Sequence, residues 1–389
     1  MVELGKIANT QLGKMLSPKA KVGARPKPYL RNRDVQWGTF VLDRLPRMDF
    51  TADETEKFSL KTGDVVVCEG GEVGRAAIWR TVNSEVCFQK ALHRVRCGPQ
   101  LLPEWLYYLL LYYSQRNVFD EFVTGSTINH LPQEDLRRLP VPLPQLDHQH
   151  RIVEIIEEQF SRFDAADKWL RRAKQRVDLL EHAAFAIAFR TDAPKKTLKE
   201  IARTSSGGTP PRSAPGNYGG AIPWVKSGEL GDSIVRQTSE FITDSALRSS
   251  SAKIVRRGAL LMAMYGATVG KLGVLEIDAA TNQAVCAIEP NDPEISTYLL
   301  YCLRALRPQL LRAAKGGAQP NISQGIIREL LIPVPVVEER ERIEGAVTAG
   351  VDASKRLRAA LDDVLRKNAR MRTTVLREAF AGHLSLSAV

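Results

Sequence analysis

The chain says nearly the same thing twice, and that duplication constrains its fold more than any other feature. Gly125-Ser-Thr-Ile-Asn129 answers to Gly317-Ala-Gln-Pro-Asn321 at an offset of 192, and Arg151-Ile152 to Arg342-Ile343 at 191. Upstream, Pro28-Tyr-Leu-Arg-Asn-Arg-Asp-Val35 aligns with Pro223-Trp-Val-Lys-Ser-Gly-Glu-Leu230 at 195, and Val73-Gly74-Arg75 with Val269-Gly270-Lys271 at 196. Four anchors in one order, with offsets that drift by a few residues, predict two copies of one unit. At 389 residues the chain exceeds a single ordinary core. A pseudo-two-fold object of this kind suits a target with two separated halves.

Each copy reads as a mixed block, a proline-rich hinge and one long helix. Thr62-Gly-Asp-Val-Val-Val-Cys68 is a turn feeding a β-branched run, and Arg257-Gly-Ala-Leu-Leu-Met262 repeats the pattern. Leu101 to Phe122 and Ile295 to Ala314 carry Leu, Tyr and Arg at helical spacing. The hinges are Leu139-Pro-Val-Pro-Leu-Pro144 and Ile332-Pro-Val-Pro335, where fixed φ forbids a helix and imposes extended chain. The predicted order is a block at 1–140, hinge and helix at 141–190, a second block at 191–332, and hinge and helix at 333–389. The fold class is α+β.

Helix-compatible sequence follows each hinge, from Arg151 to Phe189 and from Arg342 to Phe380. Ile156, Phe163, Leu170, Val177 and Ala184 recur every seventh residue, with Gln159, Ala166, Ala173, Leu180 and Ile187 as a companion series. The second helix keeps the register at Val347, Ser354, Leu361, Asn368 and Val375, with Gly350, Leu357, Val364, Met371 and Glu378. The expectation is an antiparallel coiled coil between the two helices. About 39 residues at 1.5 Å each make a rod of roughly 58 Å, comparable to about 17 base pairs of duplex. Ordinary amphipathic core helices are the plainer reading of the same stripe.

Charge narrows the partners. A formal charge of +11 favours a polyanion, because lysines and arginines that neutralise phosphates release condensed counterions. The five cysteines include no C-x-x-C pair, so neither a disulfide framework nor a zinc knuckle is expected, and a reduced cytoplasmic setting fits. No apolar leader and no run of 18 apolar residues occurs, so neither secretion nor membrane spanning is expected.

Catalytic motifs are missing. Gly266-Ala-Thr-Val-Gly270-Lys271-Leu272 resembles a phosphate loop but has three residues between its glycines instead of four, and Leu where Ser or Thr would reach Mg²⁺. A glycine-flanked turn offering Lys271, or Arg75 in the first copy, to a phosphate fits better. His148-x-His150 lacks metal-ligand company and reads as helix-entry polarity, with Asp147 as a possible cap. No catalytic residue, metal or cofactor is expected on the chain. The binding candidates are Tyr29, Arg31, Asn32 and Arg33, aligned with Trp224, Lys226 and Ser227. Arg suits guanine O6/N7 and Asn suits adenine N6/N7. Polar turn segments add Asn129, Gln319 and Asn321. Equivalent positions with different side chains are what two readers of different sequences need, although Tyr29 and Trp224 equally suit a core.

Taken together, the block, hinge and helix order resembles the specificity subunit of type I restriction-modification systems. The residues that carry the resemblance are Pro28 to Trp37, Tyr265 to Lys271, Asn282-Gln283-Ala284, and the loop-to-hinge runs Gly125 to Pro144 and Gly317 to Pro335. That family has Glu-Gln ahead of an Ile after the hinge; here one copy has His148-Gln149 before Ile152 and the other Glu339-Arg340 before Ile343. The resemblance implies a non-catalytic subunit with two target recognition domains, each reading half of a bipartite asymmetric site in double-stranded DNA. It implies helices that set the spacer and dock two modification subunits, which carry S-adenosylmethionine, with restriction subunits joining through that core. By residue matching it gives contact roles to Arg31, Asn32, Arg33, Lys226 and Ser227, and phosphate contacts to Arg75 and Lys271. A fused enzyme with its own activity and a protein-only coiled-coil scaffold are the alternatives.

Overall fold

A computed structural model of the chain describes residues 1–16, 25–82, 85–122, 130–313 and 321–381. It divides into two compact units. Unit one takes residues 1–171 and those from Asp362 on, and unit two takes Arg172–Leu361, so both boundaries fall inside the long helices.

In unit one, a four-stranded antiparallel sheet runs in the spatial order Ala8–Leu12, Leu92–Cys97, Val65–Cys68, Ala76–Ile78. The Val65–Cys68 strand is buried on both faces, and its side chains alternate between two cores. Val65 and Val67 join a cluster with Trp105, Leu109 and Ile156, whereas Val66 and Cys68 join one with Tyr29, Phe50 and Trp79. Strand geometry sends successive side chains to opposite faces, so a strand covered twice reads as an unbroken apolar run. A smaller sheet places Pro26–Leu30 between Arg47–Asp49, antiparallel, and Cys87–Phe88, parallel.

Unit two repeats this topology. Its main sheet runs Ala202–Ser206, Val285–Pro290, Leu260–Ala263, Leu272–Leu275, again antiparallel in that order. Leu260 and Met262 again face one core while Leu261 and Ala263 face another. Its smaller sheet sets Tyr218–Val225 between Phe241–Ile242, antiparallel, and Ala279–Thr281, parallel. Two strands depart from the scheme, the first being Ile254–Val255, which adds a fourth, antiparallel member to the smaller sheet beside Ala279–Thr281. The second, Ser233–Val235, adds a fifth, parallel member to the main sheet, where unit one has the hairpin of Val35–Gln36 with Thr39–Phe40.

The hinges begin as sheet edges. Pro140–Val141 pairs with Val2–Glu3 and Leu331–Pro333 with Lys195–Thr197. Each is then held by an aromatic donor from the helix that closes its block: Trp105 Nε1 donates to the Pro142 carbonyl at 2.8 Å, and Tyr298 Oη to the Pro333 carbonyl at 3.0 Å. The closing helices, Pro103–Gln115 and Ser296–Ala313, lie within the predicted spans.

Both long helices start earlier than the sequence alignment placed them. They span Leu146–Ala188 and Val337–Phe380, each beginning two residues after the last hinge proline. Proline bars a helix before it and tolerates one just after, so the hinge itself sets the start. Within each unit the helix segments run antiparallel: in unit one Asp164 meets Arg372 and Asp167 meets Asn368, and in unit two Glu181 meets Arg358 while Thr191, just past the central helix, meets Glu339.

The heptad reading needs one correction. Ile156, Phe163, Leu170 and Val177 are buried, but the line then steps to Glu181 and Phe185 instead of Ala184. The companion series is exposed at Leu180 and Ile187, and at Leu357, Val364 and Met371 on the second helix. Two helices meeting along one narrow seam cover a single row each, so the second apolar row faces outward.

Candidate nucleic-acid interface

The aligned segments Arg31–Asp34 and Lys226–Glu229 fold into the same structure, a single 3₁₀ turn after a strand. In unit one the Arg31 amide donates to Asp34 Oδ2, and in unit two the Lys226 amide donates to Glu229 Oε2, both at 2.8 Å. An acid three residues on satisfies the first free amide of the turn. Asp34 and Glu229 were inside the quoted segments, but their capping role was not read from the sequence; the three-residue spacing was the available signal. Burial works against the Glu229 charge, and the Lys226 and Ser239 amides with the Thr238 hydroxyl outweigh it, holding its pKa below the usual value.

Beside each turn runs the loop between two main-sheet strands. Cys68 N donates to Arg75 O and Gly74 N to Cys68 O, at 2.8 and 3.1 Å. In unit two, Ala263 N donates to Lys271 O and Gly270 N to Ala263 O, at 2.9 and 2.8 Å. The closures match, but the second loop is one residue longer, and this accounts for the drift of the offset from 195 to 196. Gly74 and Gly270 both have positive φ, 81° and 76°. Gly74 also has no room for a side chain, since an added Cβ would sit 2.1 Å from the Phe119 ring.

The predicted site residues divide by what occupies them. Tyr29 and Trp224 are core aromatics, 6% and 2% exposed, and the indole of Trp224 donates to the Gly208 carbonyl at 3.0 Å. Their burial opposes the expected contact role, since they sit in the strand before the turn, where the side chain faces inward. Arg75 is also drawn inward. Its guanidinium donates to the Asn32 carbonyl and Oδ1 and to Glu72, leaving it 13% exposed, which opposes the phosphate role. Asn32 spends its amide on the same loop, donating to Gly70 O at 2.8 Å.

Arg31 is gripped by Asp34 in a two-pronged pair at 2.7 Å, and that hydrogen bond raises its pKa against burial. Such a pair fixes the guanidinium plane. Arg33 is 74% exposed and touches Asp34 only at 4.0 Å. In unit two, Lys226 pairs with Glu240 at 3.3 Å, the Ser227 carbonyl accepts from Thr268 at 2.7 Å, and Lys271 is exposed. Asn321 is exposed and bridges to Tyr265. Asn129 and Gln319 lie outside the described residues.

Two fully buried residues, His93 and Gln149, have structural roles that the sequence motifs did not assign. His93 is fully buried, and its Nε2 lies 2.9 Å from the Leu131 carbonyl, while burial lowers its pKa. Gln149, half of the altered motif after the first hinge, is fully buried. It donates to Gln100 O and Pro144 O and accepts from Leu102 N, the cap of the closing helix. The sequence signal for His93 was a lone imidazole between Leu92 and Arg94 in the strand Leu92–Cys97. No helix among the described residues is long and apolar enough to cross a membrane.

Comparison with known proteins covers both units. The family described as type I restriction modification DNA specificity domain matches residues 1–168 and 192–349. The EcoR124I/EcoR124II specificity subunit of Escherichia coli is 24% identical over 245 residues, and the match spans 60% of each chain. The putative MjaX specificity subunit of Methanocaldococcus jannaschii is 21% identical over 341 residues, covering 82% of this chain and 76% of that one. Among solved structures, a chain from a study of complex assembly and conformational transition of the type I R-M system superposes with a TM-score of 0.76. It shares 20% identity over 98% of this chain and 97% of its own. The HsdS subunit from Thermoanaerobacter tengcongensis gives 0.54 at 20% identity, covering 98% of this chain and 96% of that one. The twinned architecture is therefore that of known subunits, and with both repeats matched, this chain belongs to the type I restriction modification DNA specificity family.

Proposed function

We propose that the chain is the DNA-reading subunit of a type I restriction-modification assembly, with each unit reading one half of a bipartite asymmetric site. The observation that carries this is the pair of 3₁₀ turns: one backbone geometry, presenting Arg31 and Arg33 in one unit and Lys226 and Ser227 in the other. A shared scaffold with unlike side chains delivers the same reach to different base edges. Arg31, fixed by Asp34, and exposed Arg33 are the principal contacts of the first unit; Lys226 and exposed Lys271 are those of the second.

The chain itself carries out no catalysis in this reading, and S-adenosylmethionine belongs to the partner. The long helices set the unspecified spacer and dock two modification subunits, through which restriction subunits join. Trp169 and Met371 in unit one and Leu180 and Leu357 in unit two support docking, because large apolar side chains standing in water on a helix mark a protein contact.

Mapping methylated adenines in the host genome, with and without this chain, tests the proposal. A two-part motif that disappears on deletion is expected; an unchanged methylation pattern overturns it. Methylation by the purified chain with S-adenosylmethionine and DNA alone would instead support a fused enzyme.

A further inference from the structure

The ion pairs on the long helices carry a polarity that the repeat does not. In unit one, Arg372 reaches Asp164 at 2.9 Å and Asp167 at 3.0 Å, with its guanidinium 5.5 Å from the ring centres of both Phe160 and Phe163. Asn368, buried on the same helix, donates to Asp167 at 2.9 Å. In unit two, Arg358 reaches Asp178 at 2.8 Å and Glu181 at 2.5 Å, and Arg304 adds a second contact to Glu181 at 2.7 Å. The two pairs obey one antiparallel register: fourteen residues forward from Asp167 to Glu181 match fourteen back from Arg372 to Arg358.

The repeat relation at offset 191 equates Asp167 with Arg358 and Glu181 with Arg372. It therefore maps one bridge onto the other with the charges exchanged. Both acids are on the central helix and both arginines on the C-terminal helix. A strictly symmetric repeat would have put one of each on both.

The consequence appears when like is placed against like. A central helix facing a second copy of itself in this register sets Asp167 against Glu181, twice. A C-terminal helix facing its own copy sets Arg358 against Arg372, also twice. Glu181 has a side chain only 6% exposed, so water screens that repulsion poorly. Like charges held at a seam discriminate between partners even when the opposite-charge pair adds little stability.

We infer that this polarity is a pairing code: the acidic face of the central helix fits only an arginine-bearing helix, the C-terminal one, so unlike halves join and like halves are excluded. The inference does not depend on the DNA-reading proposal, since its test reads association alone.

The test uses full-length chains carrying D167R/E181R, with both helices basic, or R358E/R372E, with both acidic. Each alone is expected to melt several degrees below the unaltered chain. Co-expressed with different tags, the two are expected to capture one another at least tenfold more than either captures a second copy of itself. The chain with all four reversals is expected to regain most of the melting temperature. Equal capture in like and unlike mixtures, or double variants that melt as the unaltered chain does, overturns the code. Because E181R also meets Arg304 and R372E also meets Asp164, the independent reading is taken in a D164N chain: there D167R and R372E each lower the melting temperature, and their combination restores it. Failure of the combination to restore it overturns the code as well.

Discussion

The Arg75 guanidinium donates twice to Asn32, to its backbone carbonyl at 3.1 Å and to its side-chain Oδ1 at 2.9 Å. One arginine thus pins the turn that presents Arg31 and Arg33. Arg75→Ala leaves two acceptors without their donor and is expected to destabilise unit one by about 1–3 kcal/mol. Lysine recovers little, since an ammonium lacks the planar fork. Denaturant unfolding of the three proteins checks this, and a neutral Arg75→Ala refutes the buttress.

Arg33 and Lys271 are exposed where Arg75 is not. Alanine at either position is expected to leave stability within about 0.5 kcal/mol while weakening DNA binding by the assembled complex. If the contact is to phosphate, the loss is uniform across sequences and the salt slope falls by about 1. A base contact alters preference at one position in one half-site instead. Binding titrations at several salt concentrations, on single-base variants of the site, separate the two.

His93 gives the fold an acid-sensitive point. Buried and neutral, it has a lowered pKa in the folded chain, whereas the unfolded chain takes up a proton as pH falls through about 6.5. The unfolded state then binds more protons, so this contribution is complete above about pH 6.5 and is lost as pH drops towards the lowered folded value. The slope is at most about 1.4 kcal/mol per pH unit. Urea unfolding at about pH 7.5, 6 and 5 is expected to show His93→Gln losing less stability on acidification than the unaltered chain. Identical slopes remove His93 from the account.

Gly74 and Gly270 share a backbone conformation but not a neighbourhood. An added Cβ at Gly74 meets Phe119, whereas at Gly270 the nearest atom is Arg307 Cγ at 3.3 Å. Gly74→Ala should cost at least about 2 kcal/mol, strain and overpacking together, and Gly270→Ala about 1 kcal/mol. Comparing their denaturation midpoints decides it, and equal costs would mean that φ alone governs both sites.

Much of the scaffold was legible because it rests on local chemistry. The run Val65-Val-Val-Cys68 reads as a strand, and the hinge prolines mark extended chain ahead of each long helix, although the helices begin at Leu146 and Val337, ahead of the expected Arg151 and Arg342. The rows at Leu180 and Met371 were misjudged because periodicity identifies an apolar row without saying whether anything covers it. Tyr29 and Arg75 illustrate the same limit at the candidate site. A tyrosine beside arginines resembles a reading surface until the pleat turns it inward, and a cation on a glycine turn resembles an anion contact until Asn32 occupies it. Those outcomes depend on partners tens of residues away, as with Arg75 and Asn32, 43 positions apart.

The hooks that hold the hinges have a further consequence. Trp105 and Tyr298 each donate to a proline carbonyl, a main-chain acceptor that any residue would supply. The anchor is blind to side-chain identity on the hinge side. A foreign block grafted onto either hinge meets this anchor with an aromatic donor at the matching helical position, so, beyond the prolines that start each long helix, chimeras are constrained more by where the splice falls than by what the hinge spells.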